Sequence, residues 1–423
     1  MRPIVSVLVL LLLAPCPALR AQVRADTSAR TDTPVADLAA NDATPLVACL
    51  DSLAPAARAA RVNAVTWQQH TTGLARDPRV LANLDAQPEF RLAVWDYLAV
   101  MVDDERIADG ASQRDAHGAT LAAAAERHGV DAETLLAVWG VESDYGRGIG
   151  RYDLLRSLAT LSCEGRRQRY FRSEFFALLR LLQRGDVRAD TLRGSWAGAF
   201  GLVQFMPSTF ERLAVDADGD GRRDLVGSVP DAMASAARFL RDAGWRTGQP
   251  WGFEVRLPAG FRARGEGRRT KRTLATWSAR GVRRADGSPL VGGPLTRATT
   301  AGLLLPAGSD GPAFLVLRNF DAIYRYNASE SYALAIAHLA DRLRGGAPFV
   351  TPWPTDDGGL SRAERRELQS LLLARGHDIG PVDGLLGART IAAVRLEQVA
   401  RRMEVTGRPG QRLLQALREP TPR

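Results

Sequence analysis

The stretch "VWGVESDYGRG", residues 138 to 148, ends an apolar run on a single carboxylate, Glu142. A helix starting after Asp131 would put Leu135, Val138 and Trp139 on one face with Glu142, at seven, four and three positions before it. A carboxyl on such a face loses hydration, which favours its protonated form near neutrality. A general acid needs this in order to protonate a leaving oxygen, as in glycoside cleavage. A glutamate at a fraying helix end, turned to solvent, is the plain structural alternative. Most glycoside hydrolases use a second carboxylate. Asp144 is the nearest in sequence, but two positions along a helix would point it away. A lone acid fits either no glycosidase or one whose substrate supplies its own nucleophile.

Three further stretches carry usable chemistry. "GSWAGAFGLVQFMPSTF", residues 194 to 210, surrounds Ser195, Gln204 and Met206 with small residues that allow close approach of backbone or ligand. It is not a G-x-S-x-G elbow, and tight helix packing explains it equally well. "DADGDGRRD" places Asp216, Asp218 and Asp220 at positions one, three and five of a calcium loop, with Gly221 at six. Position twelve is Gly227 rather than Glu, and Asp231 could substitute; a solvated Asp/Gly turn is the competitor. "IYRYNASESY" groups tyrosines with Asn327, which suits a sugar cleft as well as ordinary packing.

The 423 residues suffice for two or three domains. The net charge is +9, with a single lysine, Lys271, among 56 basic residues. Such a bias reads as coding composition rather than function. The arginines are scattered, without a basic run interleaved with aromatics, which argues against nucleic acid; an anionic wall polymer suits the same charge. Residues 1 to 21 have the pattern of a secretory signal, and Pro15 before Cys16 argues against lipidation. Export would leave Cys49 and Cys163, and an exported pair of this kind is more often a disulfide than two free thiols. No zinc signature is present.

Residues 22–45 read as a flexible leader. Helical periodicity dominates from about 46 to 245, with Gly129 a candidate left-handed cap and Asp131 an N-cap. Short strands are expected between about 250 and 317, helix again at "ESYALAIAHLADRL", and a Pro/Gly linker at 346–360. Residues 361–420 then form a small three-helix unit opened by a Ser361–Glu364 capping box. A unit of this size suits binding rather than catalysis. A tethered binder of this kind would act through effective concentration rather than at a reacting bond.

Read in order, "WDYL", "GVESDYG", "SLATLSCEGRRQRYF", "GSWAGAFGLVQFMPSTF", "VDADGDGRRDL", "GSVPDAMASAARFL" and "NFDAIYRYN" resemble the B-type membrane-bound lytic murein transglycosylases across residues 46–345. Residues 361–418, through "LQ", "DGLLG" and "RTIAAV", resemble a peptidoglycan-binding module, with Glu397 where an aromatic is expected.

The resemblance implies a mainly α protein: a lysozyme-like helical core, a small antiparallel β subdomain and the three-helix module. It implies that Glu142 is the single acid/base. Ser195 would contact the N-acetyl group or the oxocarbenium-like centre, and Gln204, Phe205 and Met206 would line sugar subsites. Tyr326 and Tyr332 would border the cleft, with Arg166 and Arg167 near glycan or peptide. A structural Ca2+ would take Asp216, Asp218, Asp220, the carbonyl of Arg222 and Asp231; no cofactor would be required. Expected partners are peptidoglycan glycan strands and other cell-wall enzymes, with the protein a monomer in the periplasm of a Gram-negative bacterium. The alternatives are a hydrolytic muramidase, in which water replaces the substrate's hydroxyl, and a wall-binding protein without activity.

Overall fold

The computed structural model describes residues 35–84 and 92–419. The expected signal segment, residues 1–21, lies outside the described residues, as does the leader up to residue 34. Helix α1 (Val35–Ala59) begins inside the stretch read as a flexible leader. Its first residues, "VADLAANDA", are rich in Ala, the strongest helix former. The compact unit described below runs from Ala43 to Arg423.

The helical body continues with α2 (Ala64–Thr71), α3 (Pro78–Ala82), α4 (Val94–Met101), α5 (Asp104–His128) and α6 (Ala132–Ser143). After it come α7 (Leu154–Cys163), α8 (Gln168–Arg184), α9 (Pro207–Leu213) and α10 (Val229–Asp242). Local chemistry sets the α5–α6 corner as the residue types imply. Gly129 ends α5 at φ 71°, and Asp131 caps α6 by accepting from the Thr134 N–H at 3.1 Å.

The short pair β1 (Tyr152–Asp153) and β2 (Arg193–Gly194) is antiparallel. The β subdomain has β3 (Gly252–Arg256), β4 (Arg272–Thr273), β5 (Arg283–Arg284), β6 (Thr300–Leu304), β7 (Pro306–Ser309) and β8 (Ala313–Val316), with α11 (Leu274–Ala279) between β4 and β5. Its sheet runs β4-β6-β8-β3-β5, and every neighbouring pair is antiparallel. Trp277, Leu303 and Leu315 belong to its own core. The chain returns to the body through α12 (Arg318–Tyr324) and α13 (Glu330–Leu343). The C-terminal module is α14 (Arg362–Ala374), α15 (Ala388–Ala400) and α16 (Gln411–Arg418), closed over Leu368, Leu372, Val394 and Leu414. Both halves of its capping box are present. The fold is mainly α with a small antiparallel sheet and a helical C-terminal module.

The expected linker is fastened down along its length. Phe349 stacks on His338 at 3.8 Å and meets Phe314 edge-on at 4.7 Å, while Trp353 lies 6.4 Å from Trp95. The N–H groups of Val350 and Thr351 donate to Glu254 at 2.6 and 2.7 Å. The Pro and Gly residues prevent regular structure here, but they do not prevent the aromatics between them from burying their rings.

Candidate functional site

Helix α6 is an apolar rod with one acidic end. Leu135 and Val138 are 0 % exposed and Trp139 is 3 % exposed, whereas Glu142 is half-buried. The helix packs against α5, α10 and α13. Two successive left-handed residues, Asp144 (φ 50°) and Tyr145 (φ 56°), then turn the chain sharply. The Ser143 hydroxyl donates to the Leu202 carbonyl at 2.6 Å, which joins the helix end to the loop carrying Gln204. Gln204 Nε2 donates to the Ile149 carbonyl at 3.0 Å and so pins the other side of that turn.

The tyrosines arrive from the C-terminal part of the body. The Tyr332 hydroxyl, near the start of α13, donates to Glu142 Oε1. Burial, reinforced by the charge of Glu142, holds the Tyr332 phenol well above its ordinary range, so it stays a donor across neutral pH. Tyr326 lies 6.4 Å away, stacked at 25° to Tyr332, and its hydroxyl donates to the Val203 carbonyl at 2.8 Å. Burial and Glu142 raise its phenol in the same way. Phe205 is 2 % exposed, with its ring against Tyr326 and Phe239. In this structure that ring supports Tyr326 from beneath, while Met206 and Gln204 remain half-exposed.

Ser195 sits in a tight turn. Its N–H donates to the Ala199 carbonyl at 2.8 Å and its Oγ accepts from the Ala199 N–H at 2.9 Å, which leaves its own hydroxyl proton to give. Gly194 must be glycine: a Cβ there would lie 2.2 Å from the Ala199 carbonyl oxygen. Arg166 and Arg167 lie on the α7–α8 turn. Arg166 donates to the Leu84 carbonyl, and the Arg167 guanidinium sits over the Tyr170 ring at 4.6 Å.

Asp144 is committed elsewhere. Its carboxylate meets Arg362 at 2.6 Å, Arg106 at 3.1 Å and Arg147 at 3.1 Å. Such a carboxylate is poorly placed to share the work of Glu142. Arg147 is a neighbour in sequence, but nothing local reveals Arg106 and Arg362, which come from distant segments.

In the acidic loop, ligand atoms of Asp216, Asp218 and Asp231 lie within 4.8 Å of one another. Asp231 is fully buried and accepts from the N–H groups of Ala217 and Asp224, both at 2.7 Å. Burial still pushes its carboxyl above the ordinary range, as expected of an acid held among acids. Three gathered carboxylates fit a hard cation. Asp220 is outside this group; it accepts from the Arg222 N–H at 2.8 Å and shapes the turn. Cys49 of α1 and Cys163 of α7 are joined, with Cα atoms 5.9 Å apart. Among the described residues no helix is long and apolar enough to cross a membrane.

Comparison with known proteins matches residues 46–341 to the transglycosylase SLT domain and residues 361–417 to the putative peptidoglycan binding domain. The chain is 35% identical over 216 residues to membrane-bound lytic murein transglycosylase B of Escherichia coli, half of this chain and 56% of that protein. It therefore spans just over half the length of that relative. SltB3 from Pseudomonas aeruginosa in complex with NAG-anhNAM-pentapeptide is similar at 45% identity and a TM-score of 0.70, over 88% of this chain and 99% of that one. The Escherichia coli lytic transglycosylase Slt35 in complex with calcium is similar at 28% identity and a TM-score of 0.60, over 71% of this chain and 92% of that one. With the family match covering the body that carries Glu142, Tyr326 and Tyr332, the chain belongs to the transglycosylase SLT domain family, in its B-type form with a C-terminal peptidoglycan-binding module.

Proposed function

We propose that the protein is a lytic transglycosylase that cleaves the β-1,4 bond between MurNAc and GlcNAc in peptidoglycan, with Glu142 as sole acid/base. The observation that carries this reading is the half-buried Glu142 carboxyl at the end of an apolar helix, accepting from Tyr332 beside a second tyrosine. Protonated Glu142 gives its proton to the departing GlcNAc O4 as the anomeric bond breaks. The resulting carboxylate takes the proton of the muramic C6 hydroxyl, whose oxygen closes on its own anomeric carbon. The product is a 1,6-anhydro sugar, water is not consumed, and the residue ends protonated for the next turnover. No enzyme nucleophile is needed, in keeping with Asp144 being bound to arginines. The SltB3 complex with an anhydro-muramyl ligand supports the same product class.

Ser195, Gln204, Met206, Arg166 and Arg167 are proposed to contact the glycan or its peptide, with Phe205 holding Tyr326 in place. A peptidoglycan substrate is consistent with a periplasmic location. Mass spectrometry of digested sacculi tests the reading: the new muramic ends should be lighter by one water than hydrolysis products. Reducing ends would select the muramidase, and intact strands would leave only a wall-binding protein.

The Asp216, Asp218 and Asp231 carboxylates would hold a structural Ca2+, which offsets their repulsion and takes no part in the chemistry. Calcium should raise the melting temperature of the wild type by several degrees, and Asp218→Asn should remove most of that rise. A wild type whose melting is indifferent to calcium would show the loop to be a solvated turn.

A further inference from the structure

Arg362 is the first residue of α14, so it belongs to the C-terminal module and lies beyond the match to the transglycosylase domain. Its side chain is nevertheless only 14% exposed, because it reaches into the body. The Nε and a terminal nitrogen donate to Asp103 at 2.9 and 3.0 Å, and its backbone N–H adds a third bond at 2.9 Å. The other terminal nitrogen donates to Asp144 at 2.6 Å. One guanidinium thus joins Asp103 to Asp144 with its whole donor fork, and a longer contact of 3.5 Å reaches Asp109, an arrangement a lysine could not make.

Both carboxylates sit at places that control the end of α6. Asp103 caps α5 through the Arg106 N–H at 2.8 Å, and the buried Arg106 side chain donates in turn to the Gly140 carbonyl, in the last turn of α6. Burial opposes ionisation of Asp103, but the bonds from Arg362 and the two backbone N–H groups outweigh it and keep the carboxyl below its ordinary range. Asp144 is the left-handed residue two positions after Glu142, followed by a second one, Tyr145. Two successive non-glycine residues in that region are disfavoured and persist only where the surroundings hold them.

We propose that Arg362 is a positioning residue for Glu142: by clamping Asp103 to Asp144 it holds the last turn of α6, and the C-terminal module thereby completes the catalytic body. This deepens the proposed function, since it rests on Glu142 being the acid/base. It replaces the expectation that the module acts only as a tether. Removing the module would take Arg362 away and leave Asp103 buried without its cation.

The test uses the full-length protein and a soluble disaccharide–peptide oligomer, too short to need wall retention. Arg362→Gln should lower kcat by about tenfold or more, since small displacements of a catalytic group are costly, and change KM by less than about twofold. Retention on sacculi should be unchanged. Arg362→Lys should fall between the two, and it carries the test if the Gln variant does not fold. Arg366→Gln removes another ion pair across the same interface, to Glu105, and should leave kcat within about twofold. Unchanged kcat in the Arg362 variants would overturn the proposal, as would an equal loss in Arg366→Gln. A wild type without turnover would instead end the proposed activity. Amide exchange at residues 143–146 then decides the positioning role alone: faster exchange in Arg362→Gln is expected, and equal exchange overturns it.

Discussion

Glu142→Gln should abolish nearly all cleavage while leaving the melting temperature and the retention on sacculi unchanged. The amide keeps the size of the acid and still offers an oxygen to the Tyr332 hydroxyl. It can neither give a proton to the leaving O4 nor take one from the C6 hydroxyl. General acid–base catalysis contributes about 10²–10⁴-fold. Because one group serves both half-reactions, the loss should reach at least the upper part of that range. The measurement is turnover of purified sacculi by release of soluble muropeptides. A Gln variant within tenfold of wild type would mean that the apolar helix around Glu142 exists only for packing.

Replacing both Cys49 and Cys163 by Ala should produce the largest loss of stability of any change considered. The crosslink ties α1 to the end of α7 across 114 residues of sequence. The chain-entropy estimate for a closed loop of that length is on the order of 4–5 kcal/mol. Most single domains have only about 5–15 kcal/mol in total, so the double variant should unfold at much lower urea. Free-thiol titration of the denatured, unreduced exported protein, without the signal segment that carries Cys16, should find none. Two titratable thiols, or an unchanged urea midpoint in the double variant, would remove the crosslink from the account.

Helix α6 was legible residue by residue. Asp131 and Gly129 are local signals whose capping chemistry needs no tertiary partner, and the apolar face of Leu135, Val138 and Trp139 follows from helical spacing alone. The same holds for the Ser361–Glu364 box and for the central strands β3, β6 and β8 of the β subdomain, whose apolar residues stand between Gly/Pro turns.

The acidic loop was read only in part. Alternating aspartates announce a cation loop, but it is Asp231, from the first turn of α10, that gathers with Asp216 and Asp218, whereas Asp220 lies outside that group. Phe205 is a subsite residue only by resemblance, and no local signal shows that its ring packs against Tyr326 and Phe239.

What the sequence determined by itself were the properties carried by short spacing: the helix that ends on Glu142, its caps, the strands, the three-helix module and the acidic loop. Only the tertiary structure decided what surrounds the carboxyl. Tyr332 is 190 residues from Glu142 in sequence, and Arg362 is 218 from Asp144. Periodicity and capping act over a few residues, whereas a hydrogen bond across such separations exists only after the body and the module have packed. No local pattern distinguishes an arginine that will join the buried Asp103 to the half-buried Asp144 from one that stays in solvent.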